Sequence, residues 1–382
     1  MIQYRYIILY ILILIFALCT NKIEAQNSKH SESHETSTPE KIKIGFLIPD
    51  QENLSAKHGA ELAIEKANIN GGYSGTQFQL ITRSTEGPWG AGSKESVNLV
   101  FEDEVLAIIG ALDGRNAHLA EQVAAKTKIA FLSTRATDMT LSQAFVPWYF
   151  RCVPNDKQQA ISLIKEIFNN TLTENVAIIS TDNYDSKYAT TTFLKVIDSM
   201  NIKKPKQFLA KSSGNNFMEI LNEIENFNVK HIVLFGNYQF ASKIISLKNK
   251  LNMGQTIFGS LAIISNQKAT NINWEIFEGA ILISPGNWFA NEWIAFQKEF
   301  TKKYGYNPGV AAAFAYDGTN IIIEAIKKAA PNRDDIIDEL VDINYKNGIT
   351  GKIQFDANGN RVGNSGLMII KNSIPVELRK SE

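Results

Sequence analysis

From Lys41 onward, short apolar runs alternate with longer stretches in which apolar residues recur every three or four positions. The first run, KIKIGFLIP at 41–49, predicts a buried strand. It is followed by a helical pattern from Ser55 to Asn68, in which Ala60, Ala63, Ile64 and Ala67 share one face. Ser55 is a fitting N-cap for this helix, and Gly71-Gly72 supplies its stop. The same unit recurs as strand 78–84, helix 93–103, strand 105–111, helix 116–128 and strand 129–134. Four strands alternating with three helices predict a parallel sheet with helices on both faces.

A second series begins after Pro147-Trp148-Tyr149-Phe150-Arg151. Its pattern predicts helix 156–168, strand 175–180, helix 186–200, strand 206–211, helix 216–227, strand 231–236 and helix 238–251. Strands at 255–260 and 277–285 come next, then helices at 291–303, about 310–329 and 334–342. Strands GKIQFD (351–356) and GLMIIK (366–371) complete the chain. Two similar α/β lobes are expected, and the absence of a short-period repeat argues against a solenoid.

The chain start reads differently. Residues 7–18 are an unbroken apolar run behind Arg5. A membrane-spanning helix needs ~20 apolar residues, so the run predicts the core of a secretory signal (1–25) cleaved after Ala25. Cys19, which ends the run, offers lipidation as an alternative, although Phe16-Ala17-Leu18 fits that pattern poorly. Residues 26–41 hold no large apolar side chain and are expected to be a flexible linker, with His30 and His34 solvated.

Lys and Arg number 39 and Asp and Glu also 39, so no basic field exists to attract nucleic acid. Two cysteines cannot build a disulfide framework, and five histidines without a Cys/His cluster leave no zinc site. Strands lead into neither GxGxxG nor GxxxxGK[ST], and GxSxG, HExxH and DxDxDG are absent. His58, His118 and His231 are expected to be ordinary polar residues, and Cys152 a buried structural thiol. No enzyme activity, metal or cofactor is expected.

In open parallel sheets, ligands sit beyond the carboxyl ends of the strands. The loops there contain Trp89 among glycines, Asp113 and Arg115 flanking Gly114, and Arg135, Ala136, Thr137 and Asp138. The second series offers Asp182 and Tyr184, then Asn237 and Tyr238. Backbone donors at helix starts suit a carboxylate, and tyrosines suit a ligand with polar and apolar parts. Each of these residues could equally serve as a cap or a packing residue.

The elements KIGFLIP, HGAELAIEKANINGG, LAIIGALDGRNAHLAEQVA, IAFLSTRATDMTL, NYDSKYATTTFLKVI, FEGAILISP, AAFAYDGTNIIIEAIKKA and ITGKIQFDANGN occur in this order between about 42 and 372. In that order they resemble the class I periplasmic substrate-binding proteins of the branched-chain amino acid type. The resemblance implies a type I periplasmic-binding fold: 42–150 with 286–345 as lobe 1 and 151–285 with 346–382 as lobe 2, joined by three hinge crossovers. It implies closure on a small-molecule ligand and delivery to an ABC-type permease, at the outer face of a membrane or in the periplasm. An extracytoplasmic sensing module that signals to a receptor or kinase would use the same fold.

Ala136 and Thr137 match the family's second first-lobe loop, Tyr184 matches its second-lobe tyrosine, and Tyr238 matches another approximately. The first loop, Asp113-Gly114-Arg115-Asn116, lacks the family's serine. The family's ammonium-binding acid falls near Ser260-Leu261, neither of which is acidic. Asp113, Asp138 or Asp182 is expected to replace it, and Arg115 or Arg135 to meet a ligand carboxylate. A more polar or anionic ligand follows. With no heptads and no long exposed apolar stripe, a monomer is expected.

Overall fold

The computed structural model describes residues 41–50, 54–143, 147–169, 175–211, 214–265, 272–286 and 288–378. The expected signal, the linker, Cys19, His30 and His34 lie outside the described residues.

Five strands form the first sheet: β1 (Lys41–Ile48), β2 (Gln77–Ser84), β3 (Ala107–Gly110), β4 (Ala130–Ser133) and β5 (Tyr149–Arg151). Their order is β2-β1-β3-β4-β5, and every pairing is parallel. β3 and β4 are buried along their whole length, as a sheet covered on both faces requires. The helices of this part are α1 (Leu54–Ile69), α2 (Ala91–Phe101) and α3 (Gly114–Thr127). α2 and α3 pack together and bury Leu99, Ala117 and Ala120 against Leu47, Ile108 and Phe131 of the sheet.

The second part contains α4 (Asp156–Ile167), β6 (Val176–Thr181), α5 (Tyr184–Ser199), β7 (Lys206–Ala210), α6 (Phe217–Asn226) and β8 (His231–Phe235). It continues with α7 (Tyr238–Lys250), β9 (Thr256–Gly259) and β10 (Ile281–Ile283). Three helices then return to the first part: α8 (Asn291–Tyr304), α9 (Val310–Ala329) and α10 (Arg333–Val341). α9 packs along α1, α8 touches α1, and α10 touches β4. The chain ends with β11 (Leu367–Lys371) and β12 (Ile374–Glu377), which join the second sheet in the order β12-β11-β10-β9-β8-β6-β7.

Three differences from the sequence expectation have physical causes. β5 replaces what the sequence marks as a boundary: a three-residue strand ending in a buried arginine carries no recognisable period. The second sheet is mixed rather than parallel, because β10, β11 and β12 pair antiparallel. The turn Asn372-Ser373 has φ of 53° and 60°, the left-handed pair that closes a tight two-residue hairpin. Residues 351–356 form no strand. They make isolated bridges from Ile353 to Tyr345 and from Phe355 to Arg361.

The two lobes are joined by three crossovers, between β5 and α4, between β10 and α8, and between α10 and β11. Buried polar side chains bind these strands to one another. The Arg361 guanidinium donates to Cys152 O (3.0 Å), Thr350 O (2.6 Å) and Lys352 O (3.0 Å), linking the first crossover to the third. The Asp317 carboxylate, at no exposure within α9, accepts from Ile349 N (3.0 Å), Thr350 N (2.8 Å) and Thr350 Oγ1 (2.6 Å). Arg151 is also fully buried. It donates to Asn360 Oδ1 (2.9 Å), Asp138 O (2.7 Å), Ala136 O (3.3 Å) and Ser142 Oγ (3.0 Å). These bonds fix the loop 136–142, from which Thr137 reaches the space between the lobes.

Candidate functional site

A cavity of about 780 Å³ lies between the lobes, at the carboxyl ends of the strands. Helix starts surround it, and each carries its own cap. Asp113 accepts from Asn116 N (2.8 Å), Asn183 from Ser186 N (2.8 Å) and Asn237 from Phe240 N (3.0 Å). Strand residues must break off where the sheet ends, and a polar cap followed by a helix is the economical way to redirect the chain. The caps therefore gather polar side chains around the cavity for a local reason.

Of the residues singled out in the sequence, Asp113, Arg115, Arg135, Thr137, Asp182 and Tyr184 line the cavity. Four others stand elsewhere. Trp89 is 82% exposed, turned outward on a loop whose Gly87 and Gly90 take positive φ. Ala136 is buried in the core of the first lobe. Tyr238 turns to the short helix Trp274–Phe277: its hydroxyl accepts from Asn273 N (3.2 Å) and its ring stacks on Phe277. Gly114 gives its N–H to a side chain of the other lobe rather than to the cavity.

Among the bonds between the lobes are two made by side chains of α5. Tyr184 Oη donates to Asp138 Oδ2 at 3.0 Å, and Gly114 N donates to Asp185 Oδ1 at 2.8 Å. Asp138 is itself held by Thr140 N (2.9 Å), Thr140 Oγ1 (2.7 Å) and His118 Nε2 (3.2 Å). Burial alone would raise its carboxyl, but the hydrogen bonds from His118, Thr140 and Tyr184 outweigh burial and hold it below its ordinary value. Burial likewise opposes charge on His118, yet Asp138 and Glu121 push its pKa up to about 9. His118 is therefore an imidazolium at neutral pH, with Nδ1 3.2 Å from Glu121 Oε2. Asp138, consumed by this network, is not available to a ligand ammonium.

Sequence reasoning missed Asp185, Gln159 and the role of His118. Gln159 Oε1 accepts from Leu261 N (2.9 Å) and its amide donates to Pro154 O (2.9 Å), so it braces the wall where the resemblance located an acid. Ser260 and Leu261 do line the cavity, without a carboxylate. The acids on the wall are Asp50, Asp113, Asp182 and Asp185. Asp185 was legible only as a first-turn acid of α5, a placement that the helix dipole explains without any ligand. Burial raises its carboxyl, Arg135 opposes the rise, and Asp113 and Asp138 add to it. Neither Arg115 nor Arg135 pairs within 4 Å with a carboxylate of the described residues. No group of three or more metal-ligating side chains occurs among the described residues, and no helix there is long and apolar enough to cross a membrane.

Two α/β lobes, three crossovers and a polar cavity between them are the architecture of a two-lobed binding protein. The family model described as "Periplasmic binding protein" matches residues 41–371, and the chain belongs to that family. Among solved structures, the branched-chain amino acid transporter substrate binding protein LivJ of Streptococcus pneumoniae, in complex with isoleucine, superposes with a TM-score of 0.73 at 22% identity, over 88% of this chain and 97% of its own. A substrate-binding protein of an ABC transporter from Desulfitobacterium hafniense, in complex with Leu, gives 0.76 at 19% identity, covering 88% and 100%. A solute binding protein from R. palustris in complex with benzoate gives 0.74 at 17%, covering 88% and 95%. The fold is thus the type I periplasmic-binding fold. Among curated proteins, Glutamate receptor 3.7 of Arabidopsis thaliana is 29% identical over 129 residues. That match spans 33% of this chain and 14% of the receptor.

Proposed function

We propose that this is an exported, non-catalytic receptor that closes its two lobes on one small polar ligand, an amino acid or related carboxylate. It delivers the ligand to an ABC-type permease and acts as a monomer without a cofactor. In this reading 42–150 with 286–345 forms lobe 1, and 151–285 with 346–382 forms lobe 2. The observation that carries the proposal is the cavity itself, whose wall takes Asp113, Arg115 and Arg135 from one lobe and Asp182 and Tyr184 from the other. Only the closed arrangement assembles both halves, so a ligand touching both shifts the hinge equilibrium toward closure. Its volume falls in the ~300–1,000 Å³ range of small-molecule sites.

The isoleucine, leucine and benzoate held by the structural neighbours share a carboxylate, and the wall offers Arg115, which has no acidic partner within 4 Å among the described residues. The test is a thermal-shift screen of amino acids, dipeptides and organic acids, with calorimetry on each hit. A stabilising carboxylate is the expected result. A screen in which no carboxylate shifts the melting point would overturn the ligand class.

A further inference from the structure

A carboxylate of one lobe meets a backbone amide of the other across the cleft. Asp185, in the first turn of α5, accepts at Oδ1 from the Gly114 N–H of the opposite lobe at 2.8 Å. Gly114 is the first residue of α3, so its amide is one of the free donors at a helix start, where the dipole favours negative charge. The cap of the same helix, Asp113, satisfies Asn116 N and leaves the Gly114 amide open. A carboxylate arriving from solution would find that donor already occupied.

The approach is close enough to dictate the residue on the other side. A Cβ on Gly114 would stand 2.9 Å from Asp185 Oδ1 and 2.9 Å from Tyr184 Cε1. Gly114 does not have a positive φ, so the backbone there does not require glycine. The nearness of α5 does. Burial opposes the charge on Asp185, as do Asp113 and Asp138, while Arg135 and the Gly114 amide favour it.

We propose that Asp185 is a specificity-determining residue that acts as a tethered anion, drawing the lobes together on the protein's own carboxylate and barring a ligand carboxylate from the Gly114 end of the cavity. A ligand carboxylate is then left to the Arg115 side of the wall. The inference rests on capture between two lobes, but its test requires no knowledge of the cargo and so fails or stands apart from the ligand class.

The experiment is a spin-label distance measurement on ligand-free protein, refolded to strip any bound solute, in a Cys19→Ser background. Labels are carried by Lys94→Cys in lobe 1 and Lys243→Cys in lobe 2, both exposed positions. Wild type is expected to hold a closed population that sodium acetate leaves unchanged. Asp185→Ala should lower the closed-to-open ratio roughly tenfold, the loss expected of one charge-assisted hydrogen bond. Acetate, but not chloride at equal ionic strength, should restore closure by occupying the vacated amide. Gly114→Ala should open the cleft through its added methyl and resist rescue by acetate. A wild-type distance distribution in Asp185→Ala, an absence of acetate rescue there, or wild-type closure in Gly114→Ala would each overturn the proposal. Alanine suits the helix within lobe 1 and meets only α5 of the other lobe, so wild-type closure in Gly114→Ala overturns the proposal even where Asp185→Ala fails to fold.

Discussion

Tyr184 and Asp138 meet across the cleft, with the phenol of one lobe donating to a carboxylate of the other at 3.0 Å. Asp138 keeps three other bonds when this one is lost, so the pair acts on closure more than on the stability of either lobe.

Tyr184→Phe should accordingly leave the melting temperature of the ligand-free protein nearly unchanged. A hydrogen bond to a charged acceptor is worth about 1.5–3 kcal/mol, and partial exposure moves this one toward the lower end. Ligand affinity should fall about tenfold, read by calorimetry with a hit from the screen. An early melt with unaltered affinity would make Tyr184 a packing residue instead.

Arg151 tests the hinge. Replacement by Met strands the Asn360 side chain and the carbonyls of Ala136 and Asp138 without their donor, all on buried residues. Each stranded buried group costs about 1–3 kcal/mol, and a melting-point loss of roughly 5–10 °C is expected by calorimetry. Arg151→Lys should recover little of it, because a point charge cannot span the positions of a planar fork.

The pH dependence of stability should run through Asp156. Full burial pushes its carboxyl up to about 7 against a hydrogen bond from Thr137, and Oδ2 has no hydrogen-bond partner among the described residues. A folded-state pKa raised above the unfolded value of ~3.9 stabilises fully below that value, and the benefit is lost as pH rises through about 7. Asp317, raised to about 6 by burial, contributes in the same direction. Asp156→Asn should melt close to wild type near pH 4 and above it at pH 8, flattening the profile by roughly 2–4 kcal/mol. Parallel wild-type and variant melting curves across this range would contradict the assignment.

Arg115 faces the cavity without an acidic partner among the described residues, whereas Arg135 has Asp185 beside it. Arg115→Ala should therefore weaken a carboxylate ligand about tenfold or more with no earlier melting. Arg135→Ala should disturb closure even without ligand, because it removes the cation that favours the Asp185 charge. Distance distributions for the two variants, measured with and without ligand, separate these roles.

The alternating pattern from Lys41 determined the α/β class, the order of nearly all elements and the loops at the strand ends. Burial forces apolar runs and helix faces to declare themselves locally, as Ala60, Ala63, Ile64 and Ala67 do along α1. The same logic placed Asp113, Arg115, Arg135, Thr137, Asp182 and Tyr184 near the cavity, because strand ends in such a sheet lead into it. Sequence could not separate Tyr184, aimed across the cleft, from Tyr238, turned onto Phe277, since both follow a strand and start a helix. It also could not decide which carboxylates remain for a ligand. That depends on partners distant along the chain: Asp138 is claimed by Tyr184 and His118, and Asp185 by Gly114. Local periodicity records what each segment must bury. Which polar groups meet across two lobes is decided only when the three crossovers bring separate segments within hydrogen-bond distance, and no local pattern carries that information.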